Sequence, residues 1–164
     1  MHTQRPSRPL IDQPLVRALL TLARLAHPEW GNPPTPQAVA RALASTIAGL
    51  DVLRAQRIVE ASRQSASAGL VPIADSALWA RIGNAFCACY EALCSWLATA
   101  AHLDLPLDLF WARLQAEVLS QAGFALAEDA EAAAICDKLV ASARAFPLRY
   151  AIRWPCTASC RVCP

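Results

Sequence analysis

The stretch that decides the fold is PQAVARALASTIAGLDVLRAQRIVEASRQ, residues 36–64. Thr35, just before it, is a good helix N-cap, and Pro36 falls at the first helical position, where its missing N–H costs nothing. Val39, Leu43 and Ile47 recur at helical spacing and predict one buried stripe. Gly49 suits a C-terminal turn, and Asp51 suits the cap of a second helix beginning at Val52. Two helices joined by a short Ala48-Gly49-Leu50 turn make a helix-turn-helix pattern.

Working outward, PLVRALLTLARLAH sets Leu15, Leu19, Leu22 and Leu25 on one helical face, and His27 with Pro28 ends that helix. Residues 1–13, with Pro6 and Pro9 among basic side chains, read as a flexible arm. Residues 14–64 then form a basic helical region, and 65–75 a linker rich in Ser and Ala. A long helix is predicted from about Ser76 to Ala101, with Leu78, Ile82, Phe86, Leu93 and Leu97 on one side beside Trp79, Tyr90 and Trp96. Two more follow: LPLDLFWARLQAEVLSQAG, ended at Gly123, and AEDAEAAAICDKLVASARAF, with acids early and Lys138 and Arg144 late. Residues 76–147 are thus a helical core. In 148–164 the alternation of LRYAIRW predicts a short strand leading to a Cys-rich end.

The expected fold is mainly α: a helical bundle with a helix-turn-helix-like N-terminal half and a short β/Cys-rich C-terminal segment, all in one compact domain. The length, 164 residues, fits one core, and 55% hydrophobic against 17% charged residues rules out long disorder. Charge is segregated. Residues 1–63 hold eight Arg against four acids, 64–137 two Arg against nine acids, and 138–164 Lys138 and four Arg with no acid. Such basic ends around an acidic middle suggest two interaction surfaces, the basic half for nucleic acid and the acidic, aromatic-rich middle for protein.

The N-terminus has no apolar signal region, and the seven cysteines therefore read as thiols or metal ligands in a cytoplasmic protein. The most apolar stretch, residues 85–103, carries Glu91 near its centre and reads as a core helix; no membrane association is expected.

Cys87, Cys89 and Cys94 do not make a metal site on a helix. A two-residue step turns about 200°, and Cys87 and Cys94 stand about 10 Å apart along the axis. They read as buried apolar side chains. Cys156, Cys160 and Cys163 differ, because their C-x3-C-x2-C spacing in a short irregular segment lets three thiolates converge on one ion. Arg153 and Arg161 nearby favour the thiolate form. A structural zinc needs a fourth ligand: Cys136, the preferred candidate, or His102 or a partner residue.

The same spacing matches the cluster motif of radical-SAM enzymes, where three thiolates hold a [4Fe–4S] cluster. That fold needs a large barrel downstream, so a chain ending at Pro164 is not expected to be that enzyme unless it is an N-terminal fragment. Other catalytic patterns are missing: no nucleophile elbow, phosphate loop or H-E-x-x-H. An enzyme is not expected. In the second helix of the helix-turn-helix pattern, Arg54, Gln56, Arg57 and Arg63 are the side chains expected to meet duplex DNA, since Arg and Gln read base edges and Arg anchors phosphates.

GLVPIADSALWARIGNAFCACYEAL, residues 69–93, resembles the middle of the FlhC-like C subunit of the flagellar master transcriptional activator. The matching positions are Gly69, Val71, Pro72, Ile73, Trp79 and Phe86. The order of parts is similar too. The resemblance covers about half the chain and implies a zinc-binding, DNA-binding activator that forms a hetero-oligomer with a small helical partner subunit. That family carries two separated cysteine pairs, whereas this chain has one cluster. Only a cysteine zinc site carries over, onto Cys156, Cys160 and Cys163. A DNA-binding regulator with a structural metal is the expected function. The alternatives are an iron–sulfur fragment, or a helical interaction or assembly protein without metal.

Overall fold

A computed structural model describes residues 9–65 and 70–145. The expected strand, and Cys156, Cys160 and Cys163, lie outside the described residues, as does most of the N-terminal arm. The described chain is helical: α1 (Pro14–Ala26), α2 (Pro36–Thr46), α3 (Val52–Ser65), α4 (Ser76–Ile82), α5 (Asn84–Ala100), α6 (Leu107–Leu114), α7 (Ala125–Glu128) and α8 (Ala130–Ala145). Among the described residues no helix is long and apolar enough to cross a membrane.

α1 is the central element. It packs against α2 on one side and against α5, α6 and α8 on the other. Its buried Leu15, Val16, Leu19, Leu22, Ala23 and Ala26 occupy more than one stripe, which suits a helix covered from several directions. The indole of Trp111 in α6 donates to the Leu19 carbonyl at 3.4 Å. Tyr90, Phe110 and Phe124 are the largest fully buried side chains, each contributing roughly 2–3 kcal/mol of apolar burial.

The long helix expected over 76–101 is two helices. Gly83 separates them at φ 117°, and a Cβ there would approach the Phe86 ring to 3.3 Å. Asp75 caps α4, accepting from the backbone N–H groups of Ala77 and Leu78. The segment expected as one helix after Gly123 also divides, at Asp129. The Asp129 carboxylate accepts from the N–H groups of Glu131 and Ala132 and starts α8. α6 runs on into a wider π-type turn over Gln115–Leu119.

Of the linker, residues 70–75 are extended and pinned. The Val71 N–H donates to Ser62 Oγ at 3.0 Å, and the Tyr90 hydroxyl donates to the Val71 carbonyl at 2.9 Å. Trp79 Nε1 donates to the Ile73 carbonyl. At the other end, Arg17 holds the turn Leu10–Asp12 through the Ile11 carbonyl and the Asp12 carboxylate.

Candidate nucleic-acid interface and cysteine positions

α2 and α3 form the expected helix pair. The Thr35 hydroxyl accepts from the Ala38 N–H at 3.2 Å and caps α2. Asp51 Oδ1 accepts from the Arg54 N–H at 2.9 Å and caps α3. Gly49 supplies the turn at φ 73°, with the Phe86 ring 3.9 Å from where its Cβ would stand. The turn is anchored by residues far along the sequence as well: Ile47 pairs with Phe124 in an antiparallel bridge, and the Ala48 N–H donates to the Gly123 carbonyl at 2.9 Å.

α3 seals one face and leaves the other open. Ala55, Ile58, Val59 and Ser62 are buried, while Leu53, Gln56, Arg57, Glu60 and Arg63 are exposed. Arg54 is exposed but committed locally: it pairs with Asp51 at 3.2 Å, and its guanidinium lies 5.7 Å from the Phe86 ring centroid. At about 100° per residue it sits on the flank facing α5, about 60° from Arg57 and on the side opposite Gln56. Arg63 takes the opposite flank. With Gln56, Glu60 and Val59 it lines a hollow of about 380 Å³ closed by Pro36 and Gln37 at the start of α2. Helix N-termini favour anions there. Arg57 makes no ion pair among the described residues. The four side chains expected at this surface therefore separate into a pinned Arg54, an outward Arg57 beside it, and Gln56 with Arg63 on the flank that meets the start of α2.

Two features were not read from the sequence. Leu53 is 70% exposed, the most exposed large hydrophobic side chain among the described residues. A groove of about 620 Å³ also runs between α1 and α2, with Ala18, Ala42 and Leu50 among its apolar lining and Arg17 and Arg41 at its edges. The groove has no local signal, whereas the spacing of Leu53 to Gln56, Arg57 and Glu60 places it on the polar stripe.

The acidic middle spends most of its aromatic side chains on packing, with Trp79 and Tyr90 on the buried side beside Leu78 and Leu93 as expected. Trp79, Tyr90, Phe110 and Trp111 are core, so the exposed surface there is acidic rather than aromatic. Trp96 is half-buried and donates to Glu117 at 2.6 Å, while Arg113 holds the same carboxylate at 2.8 Å. Those two bonds, Arg113 first, keep the Glu117 carboxyl below its ordinary range.

Cys89 and Cys94 are buried, as expected for apolar thiols, and Cys87 is half-buried with its thiol donating to Glu91. Among the described residues no three His, Cys, Asp or Glu side chains form a group able to hold a metal. Cys136, the expected fourth ligand, is fully buried on α8 and donates to Gln115 Oε1 at 3.4 Å. Burial, with Asp137 adding to it, pushes its thiol up to about 11, so it is a neutral thiol at physiological pH. Ligation would require deprotonation and an opening of α8. His102 is exposed just beyond α5.

No family profile, curated protein or solved structure matches the chain.

Proposed function

We propose that the chain is a DNA-binding transcriptional regulator that meets duplex DNA through α3. The observation that carries this reading is the uncovered polar face of α3, with Arg57 outward and Gln56 and Arg63 beside the α2 N-terminus, on a helix whose other face is sealed by its short-turn partner. In such a pair the second helix enters the major groove while the first approaches the backbone. Arg63 with the start of α2 suits a phosphate, and Gln56 with Arg57 suits base edges. The resemblance of residues 69–93 to FlhC-like activators points the same way and adds a helical partner subunit, and with it a hetero-oligomer.

The metal reading rests on the spacing of Cys156, Cys160 and Cys163, which suits one structural zinc. Cys136 completes the set only if its buried thiol is released. Zinc content measured on wild type and Cys136→Ala decides this, since an unchanged stoichiometry assigns the fourth position elsewhere.

Fluorescence anisotropy with duplex DNA across a salt series tests the main reading. Affinity should fall steeply with salt; Arg63→Ala should weaken binding to every duplex and flatten the log–log slope by about one, whereas Arg57→Ala should weaken binding and relax the preference at one base position. Arg54→Ala should do less, because its guanidinium is held by Asp51 and Phe86. Lack of binding at low salt, with or without the partner subunit, would overturn the reading. The groove between α1 and α2 favours a second one, a helical assembly protein; this predicts association that Arg57→Ala leaves untouched.

A further inference from the structure

Leu53, Gln56, Arg57 and Glu60 stand at i, i+3, i+4 and i+7 on α3, so they form one continuous stripe along its open face. All four are exposed. A single exposed leucine signifies nothing by itself. The placement of this one is informative, because it lies in the first turn of the helix and leads the stripe. Leucine side chains on helices lean toward the N-terminus, so Leu53 covers the leading tip of α3. That tip is the part of a recognition helix that reaches base edges.

The chemistry along the stripe runs apolar, amide, guanidinium, carboxylate. The major groove offers a partner to each: the thymine C5-methyl, the adenine N6/N7 edge, the guanine O6/N7 edge and the cytosine N4 amine. An apolar protein surface offers nothing comparable. Seating Leu53 against one would also bury Gln56, Arg57 and Glu60 around it, and those groups cost free energy when desolvated without partners. Val52, the other exposed apolar residue here, points a quarter-turn away and lines the α1–α2 groove instead.

We propose that Leu53 is a specificity-determining residue that packs on a thymine methyl group in the major groove, so that the preferred duplex carries a thymine opposite the tip of α3. This rests on the DNA-binding reading above. Selection from a random duplex library supplies a bound sequence. Each thymine in it is then replaced by deoxyuridine, which removes only the methyl. One position should cost the wild type about three- to fivefold in affinity, the value of one buried methyl group. Leu53→Ala should bind the thymine and deoxyuridine duplexes equally, with an unchanged salt slope because no charge is altered.

An equal deoxyuridine penalty in wild type and Leu53→Ala overturns the inference while leaving the DNA reading standing. So does insensitivity to every thymine when Arg57→Ala still weakens binding. If Leu53→Ala keeps full DNA affinity but lowers the mass measured by light scattering, the residue belongs to a protein interface and the inference fails. If the wild type shows no salt-dependent binding to any duplex, the DNA reading fails first.

Discussion

At Gly123 the backbone sits at φ +90°, and an added Cβ would meet the Cys89 sulfur at 2.7 Å. That sulfur belongs to a buried side chain on α5 and has little room to retreat. Gly123→Ala should therefore destabilise by about 2–3 kcal/mol, combining left-handed strain with overpacking, read as a lowered urea midpoint at constant m. Cys89→Ala in the same chain separates the two causes. The double variant should recover the overpacking part and retain roughly 1 kcal/mol of backbone strain, whereas strict additivity would show that the contact is not responsible. Cys94 gives a pH-dependent counterpart. Burial raises its thiol from the ordinary 9.0 to about 11, so above pH 9 the unfolded chain releases a proton that the folded chain still holds. Its contribution is complete below pH 9 and is lost as the pH rises toward 11. Urea midpoints at pH 8 and pH 10.5 should differ more for wild type than for Cys94→Ala.

Caps were legible in the sequence where breaks were not, and the two differ physically. A cap is a local bond, and both Thr35 and Asp51 make the one their positions imply. Asp51→Ala should cost about 1 kcal/mol, and Asp51→Asn only a few tenths, because the amide oxygen still accepts from the Arg54 N–H. Thermal or urea unfolding of the two variants checks this, and equal losses would mean that the ion pair to Arg54, not the cap, is what matters. The break at Gly83 is a tertiary matter. A glycine inside a helical pattern costs only about 1 kcal/mol, so periodicity runs through it. What parts α4 from α5 is the Phe86 ring lying against the space a side chain would fill. Asp129 divides α7 from α8 in a similar way, since the same acid that suits a first turn serves as the cap. The candidate interface shows the same boundary. The exposure of Gln56, Arg57 and Arg63 follows from periodicity, but Arg54 is tied down by Phe86, a residue 32 positions later in the chain.

Charge divides the sequence into a basic half and an acidic half, yet packing does not follow that division. The α2–α3 turn is bonded to Gly123 and bridged through Ile47 to Phe124. α1 is buried among α5, α6 and α8. Residues 70–75, which read as a linker, are tied to both sides by Ser62 and Tyr90. The open face of α3 is thus mounted on the whole core, which holds its side chains in fixed relation to the start of α2. A molecule built this way should unfold in one transition. Ile47→Ala provides the sharpest test, because Ile47 is 1% exposed and sits where the two halves meet. Its loss should cost about 2–5 kcal/mol. Trp30 lies in the basic half, so the test is made in a Trp30→Phe background, where the remaining tryptophans, Trp79, Trp96, Trp111 and Trp154, all lie outside the half that carries the substitution. One cooperative unit requires the fluorescence midpoint and the far-UV helix signal to fall together by the same amount. If the basic half were independent, part of the helix signal would melt early while the fluorescence midpoint stayed at its wild-type value. α3 would then be presented by a detachable arm, its exposed face independent of the packing of Phe124.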